Sequence, residues 1–179
     1  MAEFLGNTKR TDYCGEVRDG HIGKKVTVMG WVQKSRNKGG IIFTDLRDRS
    51  GLLQIIFEQG EGDEYVGAEE FEKAERIRSE FVIAVVGKVV KRGGAANENL
   101  KTGTIEIRAN SLRILSEAAT PPFPIEADSK TKEELRLKYR YIDLRRPDLQ
   151  RNLMMRSKVA TLTRQFLSDE GFLEIETPM

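Results

Sequence analysis

Between residues 25 and 35 apolar and polar positions alternate, so that Val26, Val28 and Val32 share one face of an extended chain while Thr27, Met29, Trp31 and Gln33 share the other. A period of two predicts a first strand. Residues 36–40 end in paired glycines that suit a tight turn, and 41–46 reads as a second strand folded back on the first. Residues 47–51 make the next turn and 52–57 a third strand, giving an antiparallel meander.

The period then changes. Tyr65, Ala68, Phe71, Ala74 and Ile77 recur every third residue in a glutamate-rich stretch, the mark of a helix with one apolar stripe. β-Branched residues return over 81–91, and 92–103 is a loop rich in Gly, Asn and Lys. Alternation resumes over 104–115 through Ile105, Ile107 and Leu112. Three strands, a helix and two strands is the order of the five-stranded oligonucleotide/oligosaccharide-binding barrel, the OB-fold, so the expected class is mainly β with helices.

Residues 118–129 hold Pro121, Pro122 and Pro124 and read as a stiff linker. A helical stretch follows at 132–141. Pro147 then stands where a first helical turn tolerates it, opening a long helix whose apolar side runs through Leu149, Leu153, Met155, Val159, Leu162 and Phe166. Gly171 is its expected stop, and 173–175 reads as the start of a strand. The expected organisation is a barrel domain over 1–117, a linker and helical hinge over 118–146, and over 147–179 the opening of a further domain, since one apolar-faced helix and a lone strand make no core.

Composition narrows the class. Of 179 residues 39% are hydrophobic and 32% charged, enough to bury a core beneath a heavily ionised surface. One cysteine, Cys14, permits no internal disulfide, and with the single histidine, His21, it cannot complete the usual four-ligand zinc site. No metal site and no cofactor are expected in this chain. A reducing, cytoplasmic setting is the expectation, and no apolar run reaches the roughly 18 residues that span a bilayer.

The net charge of +2 conceals two opposite regions. The first three strands and their turns carry Lys34, Arg36, Lys38, Arg47 and Arg49 against Asp45 and Asp48, whereas residues 58–80 hold nine acids and three bases. A basic strand face with an aromatic ring is what single-stranded nucleic acid requires, because cations follow phosphates and a ring accepts an unstacked base. Phe43, on the face of the second strand that carries Asp45 and Arg47, is the stacking candidate, with a core position as its alternative. Gln54 on the third strand offers a donor and an acceptor to a base edge, and Glu106 an acceptor to exocyclic amines. The plain alternatives are an edge glutamine facing water and a solvated strand glutamate. Trp31 reads as packing, and no catalytic residue emerges: there is no GxxxxGK[ST] loop, no HExxH and no GxSxG.

Three strings go further than periodicity. The first runs from Arg10-Thr11-Asp12-Tyr13-Cys14-Gly15 through Gly30-Trp31-Val32 to Ile42-Phe43-Thr44-Asp45-Leu46-Arg47-Asp48, and closely resembles the bacterial aspartyl-tRNA synthetases. Leu135-Arg136-Leu137-Lys138-Tyr139-Arg140-Tyr141-Ile142-Asp143-Leu144-Arg145-Arg146 is similar to the hinge of that family and its lysyl and asparaginyl relatives. Gly171-Phe172-Leu173-Glu174-Ile175-Glu176-Thr177-Pro178 resembles motif 1 of class II synthetases.

The resemblance implies an OB-fold that grips the anticodon loop of tRNA(Asp). On that reading Phe43 stacks on the central uridine of GUC and Gln54 bonds its edge. Arg36 and Glu106 meet the flanking bases or the backbone, and Arg92 adds to them. Motifs 2 and 3, which in this family hold ATP and the aminoacyl-adenylate, are not among these residues. Catalysis, ATP and Mg therefore belong to the longer enzyme, a homodimer whose interface motif 1 supplies, here through Gly171 and Pro178. Two other readings stand beside this one. A free-standing OB module would bind single strands of many sequences, and a dimerisation fragment would act through the face from Met155 to Phe166.

Overall fold

The computed structural model describes residues 2–178. They form two compact units divided between Thr120 and Pro121. In the first unit, β1 (Lys25–Lys38), β2 (Ile41–Asp48), β3 (Gly51–Glu58), β4 (Val82–Lys91) and β5 (Ile105–Ser116) close into a barrel in the order β1-β2-β3-β5-β4. Only the β3 and β5 pair is parallel, through Ile55 opposite Ile107 and Ile56 opposite Arg108. This is the expected OB barrel, and closure leaves no free sheet edge.

β1 serves two neighbours. Residues 25–31 pair with β4 and 31–38 with β2. At the changeover a Cβ on Gly30 would stand 2.3 Å from the Arg47 carbonyl oxygen, so the two backbones approach as closely as they do only because the residue is glycine. The register slips between Val32 and Lys34, and this bulge ends the simple alternation at Gln33. The turn expected over 36–40 shrinks to Gly39 and Gly40, both at positive φ, because 36–38 continue the ladder.

Inside the barrel Val28, Leu46, Leu53, Ile55, Phe57 and Ile107 interlock as alternation predicts. Thr27 and Met29, on the other face of β1, are buried as well, because the N-terminal segment lies across them. The Thr27 N–H donates to Thr11 Oγ1 at 2.8 Å, and its carbonyl accepts from the Thr11 N–H at 3.0 Å. α1 (Ala68–Arg76) is shorter than its apolar stripe. Tyr65 precedes it, while Ala74 and Ile77 enter the core and Phe71 packs against it.

The second unit holds α2 (Glu133–Lys138), α3 (Arg140–Asp143) and α4 (Pro147–Asp169). The single helix expected over 132–141 breaks at Tyr139, whose φ of −110° and ψ of 49° lie outside the helical well. Buried Asp143 ties the pieces together. Its carboxylate accepts from Arg136 Nε at 2.9 Å, Arg140 Nη1 at 2.7 Å and Arg146 Nη1 at 3.1 Å. Burial opposes ionisation here, but the hydrogen bonds and charge of Arg136 and Arg146 outweigh it and hold the carboxyl below its ordinary range.

Pro147 occupies the first turn of α4 as expected, and Gly171 ends the helix. At φ +85° its N–H donates to the Ser168 carbonyl while the Phe172 N–H donates to that of Leu167, a Schellman closure. The strand expected over 173–175 does not form. Leu173 and Ile175 are exposed, and among the described residues no strand pairs with them to take their peptide groups, which is what a strand requires. Met179, the last residue of the expected third segment, lies outside the described residues. No helix among the described residues is long and apolar enough to cross a membrane.

A candidate nucleic-acid groove on the barrel

Outward-facing side chains of β1, β2, β3 and β5, closed on one side by the start of the 92–103 loop, bound a groove of about 360 Å³. All five residues expected to meet the anticodon line it: Arg36 from β1, Phe43 from β2, Gln54 from β3, Arg92 from the loop and Glu106 from β5. Strand register explains their convergence. Phe43 stands opposite Arg36 on one side and Ile56 on the other, and the parallel pairing of β3 with β5 brings Gln54 beside Glu106. Residues far apart in sequence reach one surface because alternation points each of them outward.

Phe43 is not core. It is half-buried on the outer face, while its neighbours Ile42 and Thr44 point inward and are fully enclosed. The Phe43 side chain lines the groove between those of Arg36 on β1 and Ile56 on β3, where a ligand could meet the ring. The plain alternatives for Gln54 and Glu106 fail too, since they are only 6% and 3% exposed. Gln54 Nε2 donates to Glu106 Oε2 at 3.0 Å, and Arg92 Nη2 donates to Gln54 Oε1 at 2.7 Å. The other oxygen of Glu106 accepts from the Gly93 N–H at 3.2 Å. Arg36 Nη2 reaches Asp45 Oδ2 at 3.0 Å, while its Nε is buried without a partner, a donor that a bound acceptor would satisfy.

Sequence reasoning missed part of the groove. Lys38, already read as part of the basic strand face, lines it, and so do Ile56, Glu58 and Arg108, which that reading left out, with Arg108 Nη1 donating to Glu58 Oε2 at 3.0 Å. The signal existed in the same alternation that marked Gln54 and Glu106, because Ile56 and Glu58 follow the one, and Arg108 the other, at steps of two. The wall therefore carries Arg36, Lys38, Arg92 and Arg108 against Glu58 and Glu106, an excess of positive charge. The basic surplus read from the first three strands is divided rather than pooled. Arg47 is drawn off to Glu80 at 2.9 Å, and Arg49 sits over the Tyr13 ring at 4.5 Å.

Cys14 belongs to the core. Burial, aided by the Asp48 carboxylate, pushes its thiol far above the usual range, which removes it as a nucleophile or ligand. The Cys14 N–H donates to Asp48 Oδ2 at 2.7 Å. Among the described residues no three His, Cys, Asp or Glu side chains converge as a metal site would need.

Residues 26–115 match the family of OB-fold nucleic acid binding domains, and residues 132–179 match the class II tRNA synthetases (D, K and N). Over its full 179 residues the chain is 74% identical to the aspartate–tRNA(Asp/Asn) ligase of Lachnoclostridium phytofermentans. The chain belongs to the OB-fold nucleic acid binding family. It is 64% identical over the same span to the aspartate–tRNA ligase of Agathobacter rectalis, and it covers 29% of the length of each of these relatives. Among solved structures, the aspartyl-tRNA synthetase of Entamoeba histolytica matches with a TM-score of 0.84 at 25% identity, over 95% of this chain and 39% of that one. The asparaginyl-tRNA synthetase of Pyrococcus horikoshii, complexed with asparaginyl-adenylate, matches with a TM-score of 0.79 at 28% identity, over 96% and 37%. The synthetase resemblance carried by the motif strings is correct.

Proposed function

We infer that this groove holds the anticodon loop of a tRNA, with Phe43 stacked on the central base and Gln54 bonded to its edge. One observation carries the reading: a half-open aromatic ring, a buried amide and an excess of cations share a single groove in an OB-fold of the synthetase family. Each supplies a different need of single-stranded RNA. The ring replaces a lost stacking neighbour, the amide reads an edge, and Arg36, Lys38, Arg92 and Arg108 follow phosphates. The names of the relatives favour tRNA(Asp) as the partner, with GUC as its triplet.

On the same reading the longer enzyme joins aspartate to that tRNA with ATP and Mg, in the cytoplasm. It does so as a homodimer whose interface includes the segment from Gly171 to Pro178. Motifs 2 and 3 are not among these residues, and among the described residues no cluster of acidic side chains converges as Mg would need, so no step is routed through ATP or Mg here.

Equilibrium binding of the 179-residue chain to stem-loops bearing GUC, GUU and an unrelated triplet, each at two salt concentrations, tests the reading. Preference for GUC that persists in high salt supports base readout. Equal binding that collapses with salt would leave a general single-strand surface instead. The GUU arm addresses breadth, because one relative is named for tRNA(Asp/Asn) and the other is not. Phe43→Ala should weaken binding by about 1 to 3 kcal/mol, the scale of one base stacked on an aromatic ring, and unchanged affinity would end the stacking role.

A further inference from the structure

Gln54 lies between a group that can only accept and a group that can only donate. An ionised carboxylate has no proton to give, and a guanidinium has no lone pair to offer. The amide satisfies both in one sense only, with its nitrogen toward Glu106 Oε2 at 3.0 Å and its oxygen toward Arg92 Nη2 at 2.7 Å. Turned over, it would set oxygen against oxygen and N–H against N–H in a buried place where a lost partner is not replaced by water. The arrangement is braced, because the second oxygen of Glu106 holds the Gly93 N–H at the root of the loop that carries Arg92.

We propose that Glu106 and Arg92 are positioning residues that lock the direction of the Gln54 amide, and that this direction makes the groove prefer uridine to cytidine opposite Gln54. The proposal rests on the anticodon reading above. After its two fixed bonds the amide keeps one proton on Nε2 and one lone pair on Oε1. Uracil presents a donor at N3 beside an acceptor at O4, whereas cytosine in the same stacked pose presents an acceptor at N3 beside a donor at N4. An amide free to turn would serve either base. A locked amide meets uracil with two complementary contacts and cytosine with two opposed ones.

The test compares the 179-residue chain with Glu106→Gln, which keeps the shape but lets residue 106 donate as well as accept. Each protein is titrated with stem-loops that differ at the central base, U or C, and with others that differ at the third base. The lock predicts that Glu106→Gln lowers the ratio of affinities for U over C by roughly tenfold, about one hydrogen bond's worth of discrimination, and leaves the third-base preference alone. Arg92→Met should move the same ratio in the same direction by less. An unchanged U over C ratio in Glu106→Gln overturns the proposal. So does a loss that follows the third base, which would make Glu106 a direct base contact.

Side-chain amide resonances of Gln54 in the free, ¹⁵N-labelled proteins supply a readout independent of RNA. In the wild-type chain the two Nε2 protons should exchange slowly with solvent and resonate away from the positions of an exposed glutamine; in Glu106→Gln they should move toward those positions and exchange faster, and signals that do not change sink the lock. The remaining resonances show whether that variant folds, and if it does not, Arg92→Met carries the comparison. A wild-type chain with no preference for U would defeat the anticodon reading, leaving the lock itself to be decided by the Gln54 signals.

Discussion

β3 and α4 each carry a regular series of large apolar side chains, and the two series end in opposite surroundings. Leu53, Ile55 and Phe57 are fully enclosed, whereas Leu153, Met155, Val159, Leu162 and Phe166 are between 46% and 62% exposed. Within its unit β3 is paired with β2 and β5 in a closed barrel, while among the described residues the other helices beside α4 in its unit are the short α2 and α3. Periodicity therefore states which way a face points and says nothing of what covers it. The energetic consequence follows directly. Apolar burial, worth about 25 cal/mol for each Å² removed from water, is concentrated in the barrel, and α4 relies on its own backbone, its N-terminal proline, its glycine closure and the bonds of Arg146 to Asp143 and Asp148 at its start.

The sharpest way to break this comparison is to cut a side chain from the enclosed series. Phe57 is 0% exposed, and Phe57→Ala should cost about 3 to 5 kcal/mol through lost transfer energy and the cavity left behind. Denaturant unfolding followed by the fluorescence of half-buried Trp31 measures it. A loss below about 1 kcal/mol would show that the barrel interior collapses around the gap and does not dominate stability.

The second unit rests on a polar centre in place of an apolar one. Asp143→Asn leaves three guanidiniums converging on a neutral amide, and truncating a buried charge cluster in this way costs about 3 kcal/mol. The expected readout is loss of helical circular dichroism at denaturant concentrations that leave the wild-type chain intact. An unchanged helical signal would mean that α2 to α4 hold without their centre.

Acid should weaken both units over one window. The Asp143 and Asp48 carboxyls are held low in the folded chain. At Asp48 burial opposes ionisation but is outweighed by hydrogen bonds from Ser50 and from the Cys14 N–H. A carboxyl whose folded pKa lies below its unfolded value of about 3.9 contributes its full stabilisation above that value and loses it as pH falls toward the folded one. Thermal midpoints should be flat near neutrality and drop below about pH 4. Asp48→Asn and Asp143→Asn should each flatten that drop, and a drop of the same steepness in both variants would assign the acid sensitivity to other groups.

How far the sequence reveals all this differs between the two regions for a physical reason. In the barrel the alternation over 41–46, 52–57 and 104–115 shows where the strands lie and sets Gln54 and Glu106 on a face away from their apolar neighbours, because a period of two is imposed by the pleat itself. The same pattern leaves Phe43 between core and surface, since an aromatic ring suits either. It does not show that Gln54 and Glu106 are buried. That depends on the parallel closure of β3 against β5 and on the Gly93 loop, which are long-range pairings no local pattern encodes. The same holds for Thr27, enclosed by Thr11 from a segment with no periodicity, and for Cys14, which stands in a polar stretch yet enters the core. In the second unit local signals succeed where the structure is local, as with Pro147 and Gly171. They fail over 173–175, because a strand exists only by pairing with another.

The smallest expected effect is on the exposed series. Leu162 is 58% exposed, so Leu162→Ala creates no cavity and should change unfolding free energy by less than about 0.5 kcal/mol in dilute solution. Measuring the same variant over a range of protein concentrations makes the comparison more exacting. If the α4 face stays open to water, wild-type and variant chains sediment as one species at every concentration and their stabilities remain equal. If two copies cover that face, wild-type stability rises with concentration, Leu162→Ala loses that rise, and the contrast between β3 and α4 becomes one between a series covered within the chain and a series covered by a second chain.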